Sequence, residues 1–419
     1  MVCFCVALIL RAGMLIQLSD RTVPRSLRGP ALIDNHGLPR FWATVWSTMS
    51  AAQLADSTHL KKLRHIETLY QHADTLFGIS SLDDALGTLQ DDRLASILES
   101  WFVSIRNQPR TTEGDEKRWQ TGLEFVSSVV RWISKSRADQ VMRRIDARLQ
   151  QLAMLYRQLH VSKSQPAEAI RSLPATTVEA LYEMLDPESA SNPFPRVGTR
   201  WRVFVCFILM LHQGLRRGEI LLLPADGIKC SYDPKQDRNR YWINVRENPY
   251  QEAGTDSRYS KPSIKTAASI RQVHVSEVIA NIIETYVQNY RGRPKHSFLL
   301  NSQSNMPLST EALTKAFALA SSRLPKAILK ELRDRTGKES ITPHDLRHTC
   351  AVMRLHQILQ RGDSMDEALQ QLRTFFGWSR TSTMPSRYAR AVFEDRLASV
   401  WNDAFDDRVT LLRSLPKAH

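Results

Sequence analysis

From Leu60 to Leu159 apolar residues return every three or four positions in four successive segments. That spacing stacks side chains along one face of an α-helix, so each segment reads as amphipathic and helical. The first carries Leu60, Leu63, Ile66, Leu69, Ala73 and Leu76, and the second Leu94, Ile97, Leu98, Trp101, Phe102 and Ile105. Trp119, Leu123, Val126, Val130 and Ile133 mark the third. Val141, Ile145, Leu149, Leu152, Leu155 and Leu159 mark the fourth. The helical pattern starts near Phe41, so residues 41–160 are expected to form a bundle of about four helices. Residues 1–40 are rich in turn formers (Pro24, Gly29, Pro30, Gly37, Pro39) and read as an arm with one short strand.

The chain has 419 residues, too many for one ordinary core, and it changes character after the bundle. Residues 161–174, with Pro166 and Pro174 among small polar residues, read as a linker. A second domain is expected over 175–405 and a tail over 406–419. Thr176 or Thr177 is placed to cap its first helix. Trp201 to His212 is apolar nearly all round, as a fully buried helix would be. Trp242, Ile243 and Val245, then Ile270, Val273 and Val275, read as strands joined by a long turn-rich connection. Helical periodicity resumes at Ser276. The expected fold is mainly α with a small antiparallel β-sheet, an N-terminal helical domain followed by an α+β domain.

A formal charge of +14 predicts attraction to a polyanion, most simply nucleic acid. On the helical domain Lys61, Lys62, Arg64, Arg143, Arg144 and Arg148 lie on polar faces, as a solvated surface or as phosphate contacts. The five cysteines are odd in number and form no CxxC pair, which argues for a reducing cytoplasm and against a disulfide framework or zinc ribbon. Cys206 and Cys350 sit in apolar stretches as small core residues. The apolar start MVCFCVALIL is too short to span a bilayer, and no membrane partner is expected.

Four segments carry candidate chemistry. In GLRRGEILLL (214–223) Arg216 follows the buried helix, and Glu219 three residues on can orient it for phosphate contact. Arg217 competes for that role. In SIKTAASIRQVHV (263–275) Lys265 precedes a strand, where a lysine beside a phosphate can protonate a leaving oxygen; Lys261 is the alternative. In TPHDLRHT (342–349) His344 and Arg347 share a helical face, so one oxyanion can receive both. His344 and His348 are also four apart, but no HExxH glutamate accompanies them and Arg347 would repel a cation. No metal and no cofactor is therefore expected. In FFGWSRTSTMPSRYARA (375–391) Trp378 follows a glycine turn, and Tyr388 is the only tyrosine after Arg347. A phenol, with a pKa of about 10, needs cationic neighbours to act as a nucleophile. Ser386 has no triad around it.

The order of these residues resembles the tyrosine recombinase (phage integrase) family from about Leu173 to Arg396. By that resemblance Arg216, Lys265, His344, Arg347, Trp378 and Tyr388 take the family's catalytic positions, and the helical domain is similar to its core-binding domain. The resemblance implies a clamp on double-stranded DNA, cutting and rejoining through a 3′-phosphotyrosine, and a homo-oligomer, a tetramer on two synapsed sites. A type IB topoisomerase-like nicking and closing enzyme, or an inactive DNA-binding accessory protein, are the alternatives. Trp378 stands where many members have His, and Pro385 interrupts the stretch before the tyrosine. Beyond Tyr388, the apolar face Val392, Phe393, Leu397, Val400, Trp401 and Phe405 reads as a terminal helix that the family would dock on a neighbouring subunit.

Overall fold

The computed structural model describes residues 14–18, 22–24, 27–49, 54, 56–109, 112–134, 140–158, 172–251, 256, 258, 261–264, 266–379, 381–382, 384–385 and 388. The chain divides into two compact units, Met1–Gln165 and Pro166–His419. The apolar start, Lys265, Ser386 and the expected terminal helix after Tyr388 lie outside the described residues.

In the first unit β1 (Met14–Leu18) and β2 (Gly29–Ile33) pair antiparallel, with Leu15 opposite Leu32. The arm thus holds a two-stranded ribbon where one strand was expected, and buried Leu32 ties it into the helical core. Among the described residues six helices follow: α1 (Phe41–Met49), α2 (Asp56–Phe77), α3 (Ser81–Gly87), α4 (Asp91–Arg106), α5 (Glu113–Ser134) and α6 (Gln140–Gln158). The stripes read from the sequence supply the core: Leu63, Ile66, Leu69 and Ala73 from α2 meet Ile97, Leu98 and Trp101 of α4 and Trp119 and Val126 of α5. Leu76 is a correction, being exposed at the last turn of α2, where Phe77 is the residue that packs against the core. The short α3 was missed because seven residues hold too little period to register, yet Leu82, Ala85 and Leu86 are all buried.

The second unit opens with α7 (Ala175–Leu185). It starts after Pro174, whose preset φ suits a helix entry, and not after a threonine cap. Thr176 instead donates to Glu331 at 2.7 Å. The central α8 (Val197–His212) is buried at every position from Val203 to Leu211. It is followed by the short α9 (Arg217–Leu222). β3 (Ile228–Asp233), β4 (Arg238–Val245) and β5 (Arg271–Val275) form an antiparallel sheet in that order. Ile243, Val245, Val273 and Val275 face the core, whereas Ile270 lies before β5 and is exposed. Then come α10 (Glu277–Thr285), which runs on as a π-helical turn, α11 (Thr310–Ser322), α12 (Lys326–Thr336), α13 (Pro343–Gln360) and α14 (Met365–Phe376). Cys206 and Cys350 are buried in this core. Among the described residues no helix is long and apolar enough to cross a membrane.

Two glycines end helices and make the site's geometry possible. Gly214 follows α8 at φ +57° and Gly377 follows α14 at φ +60°, both in the left-handed region. A Cβ on Gly214 would lie 2.3 Å from a ring carbon of Phe376, and one on Gly377 would lie 2.8 Å from the Ala268 carbonyl. Gly214→Ala should therefore add a steric cost of about 1–3 kcal/mol to a backbone cost of about 1–2 kcal/mol. Gly337→Ala, at φ +69° with nothing within 4 Å of the added carbon, should lose only the backbone part. Denaturant unfolding of the two variants separates the terms; equal losses would mean that the Phe376 ring yields freely.

Candidate catalytic site

Arg216 is the residue before α9, with extended φ and ψ, and its backbone N–H donates to Glu219 at 2.9 Å. The side chain follows: Nη1 donates to Glu219 Oε1 at 2.5 Å and to Ser269 Oγ at 2.9 Å. The bonds from this side chain to described residues all run through Nη1, and Nε and Nη2 take part in none of them. Arg217 points elsewhere, donating to Thr314 at 2.8 Å. Of the two competing arginines, Arg216 is the one beside Glu219 and the other guanidiniums.

Glu219 is a hub. Arg271 grips both its oxygens at 3.1 Å each, and Arg347 Nη1 lies 3.8 Å from Oε2. Burial opposes ionisation of this carboxyl, but Arg271, then Arg347 and Arg216, outweigh it and hold its pKa below the ordinary glutamate value. Sequence reasoning missed Arg271. Its signal was available: it shares the inward phase of β5 with Val273 and Val275, where an arginine must find a buried partner.

Arg347 is 2% exposed. It donates to the carbonyl of Gly214 and, at 2.8 Å, to that of Phe376. Arg271 Nε donates to the Phe375 carbonyl at 2.7 Å. The last carbonyls of α14 are thus capped by two guanidiniums, which satisfies groups a helix end leaves open and places cations at the negative pole. Burial, then the charge of Arg216, pulls the Arg347 pKa down to about 9 against the pull of Glu219, so it stays charged at neutral pH.

Trp378 leaves Gly377 with its N–H bonded to the Arg373 carbonyl at 2.9 Å. Its ring stacks between Phe376 (centroids 4.7 Å, planes at 13°) and Tyr388 (5.6 Å, 12°). The Arg347 guanidinium lies 4.7 Å from the Phe376 ring and 5.7 Å from the Trp378 ring. Tyr388 is 5% exposed, and its Oη is 2.6 Å from Nδ1 of His348. The phenol, the Trp378 ring and the Arg347 cation therefore belong to one packed group.

His344 is exposed in the first turn of α13, and its ring packs edge-on against His348 with centroids 4.3 Å apart. The start of α13 is fixed by buried Asp345, which accepts from the Thr342 N–H at 2.8 Å and pairs with Lys338. The sequence offers His348 only as a metal partner for His344. A histidine within the buried run DLRHTCAV is otherwise indistinguishable from a core residue. Among the described residues no group of three or more His, Cys, Asp or Glu side chains is placed to hold a metal.

Lys265 lies outside the described residues, but both flanks are placed. Ser263 approaches α9, its carbonyl 3.4 Å from where a Cβ on Gly218 would stand. Thr266 Oγ1 is 3.0 Å from the Ser269 hydroxyl that receives Arg216. Arg258 anchors the same connection, donating to the carbonyls of Leu221 (3.0 Å) and Leu308 (3.3 Å) and pairing with Asp256 at 2.7 Å.

Residues 171–395, more than half of the chain, match the family model described as "Phage integrase family". The chain belongs to this family, the tyrosine recombinases. Solved structures similar to it include XerA recombinase, at 14% identity, TM-score 0.35, covering 86% of this chain and 100% of that one. XerH site-specific recombinase bound to difH substrate is similar at 14% identity, TM-score 0.45, covering 83% of this chain and 80% of that one. A lambda integrase (75–356) dimer bound to a COC′ core site is similar at 14% identity, TM-score 0.40, covering 83% and 94% respectively. No curated protein matches the chain.

Proposed function

We propose that this tyrosine recombinase cuts and rejoins double-stranded DNA at specific sites through a 3′-phosphotyrosine on Tyr388. The observation that supports this most is the packed group of Tyr388, Trp378 and Arg347 bound through Glu219 to Arg216. Oη of Tyr388 attacks a backbone phosphorus, and the 5′ oxygen departs. Nε and Nη2 of Arg216, with Arg347, His344 and the indole N–H of Trp378, meet the charge that grows on the phosphorane oxygens. Lys265 gives a proton to the 5′ oxygen. The phosphoester on tyrosine conserves the bond energy, so a 5′ hydroxyl from a partner strand reverses the step without ATP or metal. Exposed Lys61, Arg64, Arg143 and Arg144 on α2 and α6 contact phosphates, which position the duplex without reading its sequence. Strand exchange takes a homo-oligomer, four copies on two synapsed sites.

Trapping tests this. A duplex carrying a nick just beyond the scissile phosphate loses its short 5′-hydroxyl fragment after cleavage, so the adduct accumulates. Incubation in EDTA should give a species that survives denaturation, and mass mapping of the peptide should place the nucleotide on Tyr388. An adduct on another residue, or cleavage only with added divalent metal, would overturn the proposal.

A further inference from the structure

We propose that His348 is the base that receives the phenolic proton of Tyr388 during attack, an assignment that rests on the phosphotyrosine reading above. The geometry is direct. Nδ1 of His348 and Oη of Tyr388 are 2.6 Å apart, within the reach a general base needs. Both groups are held: His348 is 2% exposed on α13, and Tyr388 is fixed by the near-parallel Trp378 ring. The imidazole and phenol rings are tilted by 43° with centroids 5.5 Å apart, an approach through the hydroxyl and not through stacked faces.

α13 then serves both halves of the step. Arg347 faces the guanidinium hub, and the next residue, His348, faces the nucleophile. As the Oη–P bond forms and the P–O5′ bond breaks, the proton on Oη passes to Nδ1 of His348. The departing 5′ oxygen takes its proton from the general acid, Lys265. In the reverse step His348 returns the proton to Oη as the phosphotyrosine bond breaks. His344, packed edge-on against His348 and exposed, keeps its role toward the phosphate.

The test uses the full chain and the nicked duplex in single turnover. His348→Asn keeps an acceptor near the Nδ1 position but has no basicity, and His348→Gln is a second form of the same loss. Either should slow adduct formation by roughly 10²- to 10⁴-fold, with duplex binding retained. A 5′-bridging phosphorothiolate, whose sulfur leaves without a general acid, should restore little of that rate. Adduct formation within about threefold of wild type would overturn the assignment, as would full restoration by the phosphorothiolate, which marks an acid instead. ¹⁵N-histidine spectra of the unaltered protein give an independent answer should the variants fail to fold. Nδ1 of His348 should be the unprotonated acceptor nitrogen, and a proton found there would equally overturn the proposal. A wild-type chain that forms no adduct at Tyr388 refutes the parent reading instead.

Discussion

Tyr388→Phe should bring covalent adduct formation on the nicked duplex below detection while leaving duplex affinity within about twofold of wild type. The substitution removes one oxygen and little else. Phenylalanine can keep the stacked position against Trp378, whose ring lies 5.6 Å away and nearly parallel. The hydrogen bond to His348 is lost, which costs about 1 kcal/mol of stability plus whatever the imidazole loses by staying buried. In the proposed reading, binding rests on cations that the change does not touch: Arg216, Arg347 and the exposed basic side chains of α2 and α6. Affinity and chemistry should thus separate cleanly. Gel-shift titration reads the first and a denaturing gel the second. Persistent adduct in the variant would mean that another residue is the nucleophile, while lost binding would mean that the phenol itself helps hold DNA.

The legible parts of this molecule were those where one local rule governed. A three- and four-residue period exposed α2, α4, α5 and α6, and an unbroken apolar run exposed α8, because burial leaves a mark on every turn. The Arg216–Glu219 pair was legible because a spacing of three on a helix start brings the charges together. What stayed hidden depended on chain segments distant in sequence. Arg271 meets Glu219 from a strand 52 positions away, and His348 meets Tyr388 across 40. The alternation of β5 marks Arg271 as facing inward, but nothing in either spacing names the partner. Arg347 carries the same lesson: it was expected to offer its guanidinium to a ligand, yet it also caps α14 and holds the turn at Gly214. The site is built partly from helix-end chemistry, which is invisible until the ends are known to meet.

That construction makes Glu219→Gln the most damaging conservative change in this group of residues outside Tyr388. The amide nearly matches the carboxylate in shape, so packing is kept and the charge alone is lost. Three guanidiniums then face one another around a neutral group, with Arg271 and Arg347 nearly wholly buried. The amide nitrogen also sets a donor against donors. Breaking a buried ion pair by removing one partner costs about 3–5 kcal/mol. In a unit of this size that lowers the melting temperature by roughly 10 °C. Adduct formation should fall as well, because Arg216 takes its backbone and side-chain position from the same carboxylate. The pH dependence supplies the signature. The pKa of Glu219 is lowered in the folded state, so its contribution is fully present above the ordinary glutamate value of 4.5 and is lost as pH falls through the folded value. The stability gap between wild type and Glu219→Gln should therefore be widest near neutral pH and narrow in acid. Denaturant unfolding at a series of pH values measures it. A gap that stayed constant down to the acid limit would show that shape, not charge, holds the three arginines together.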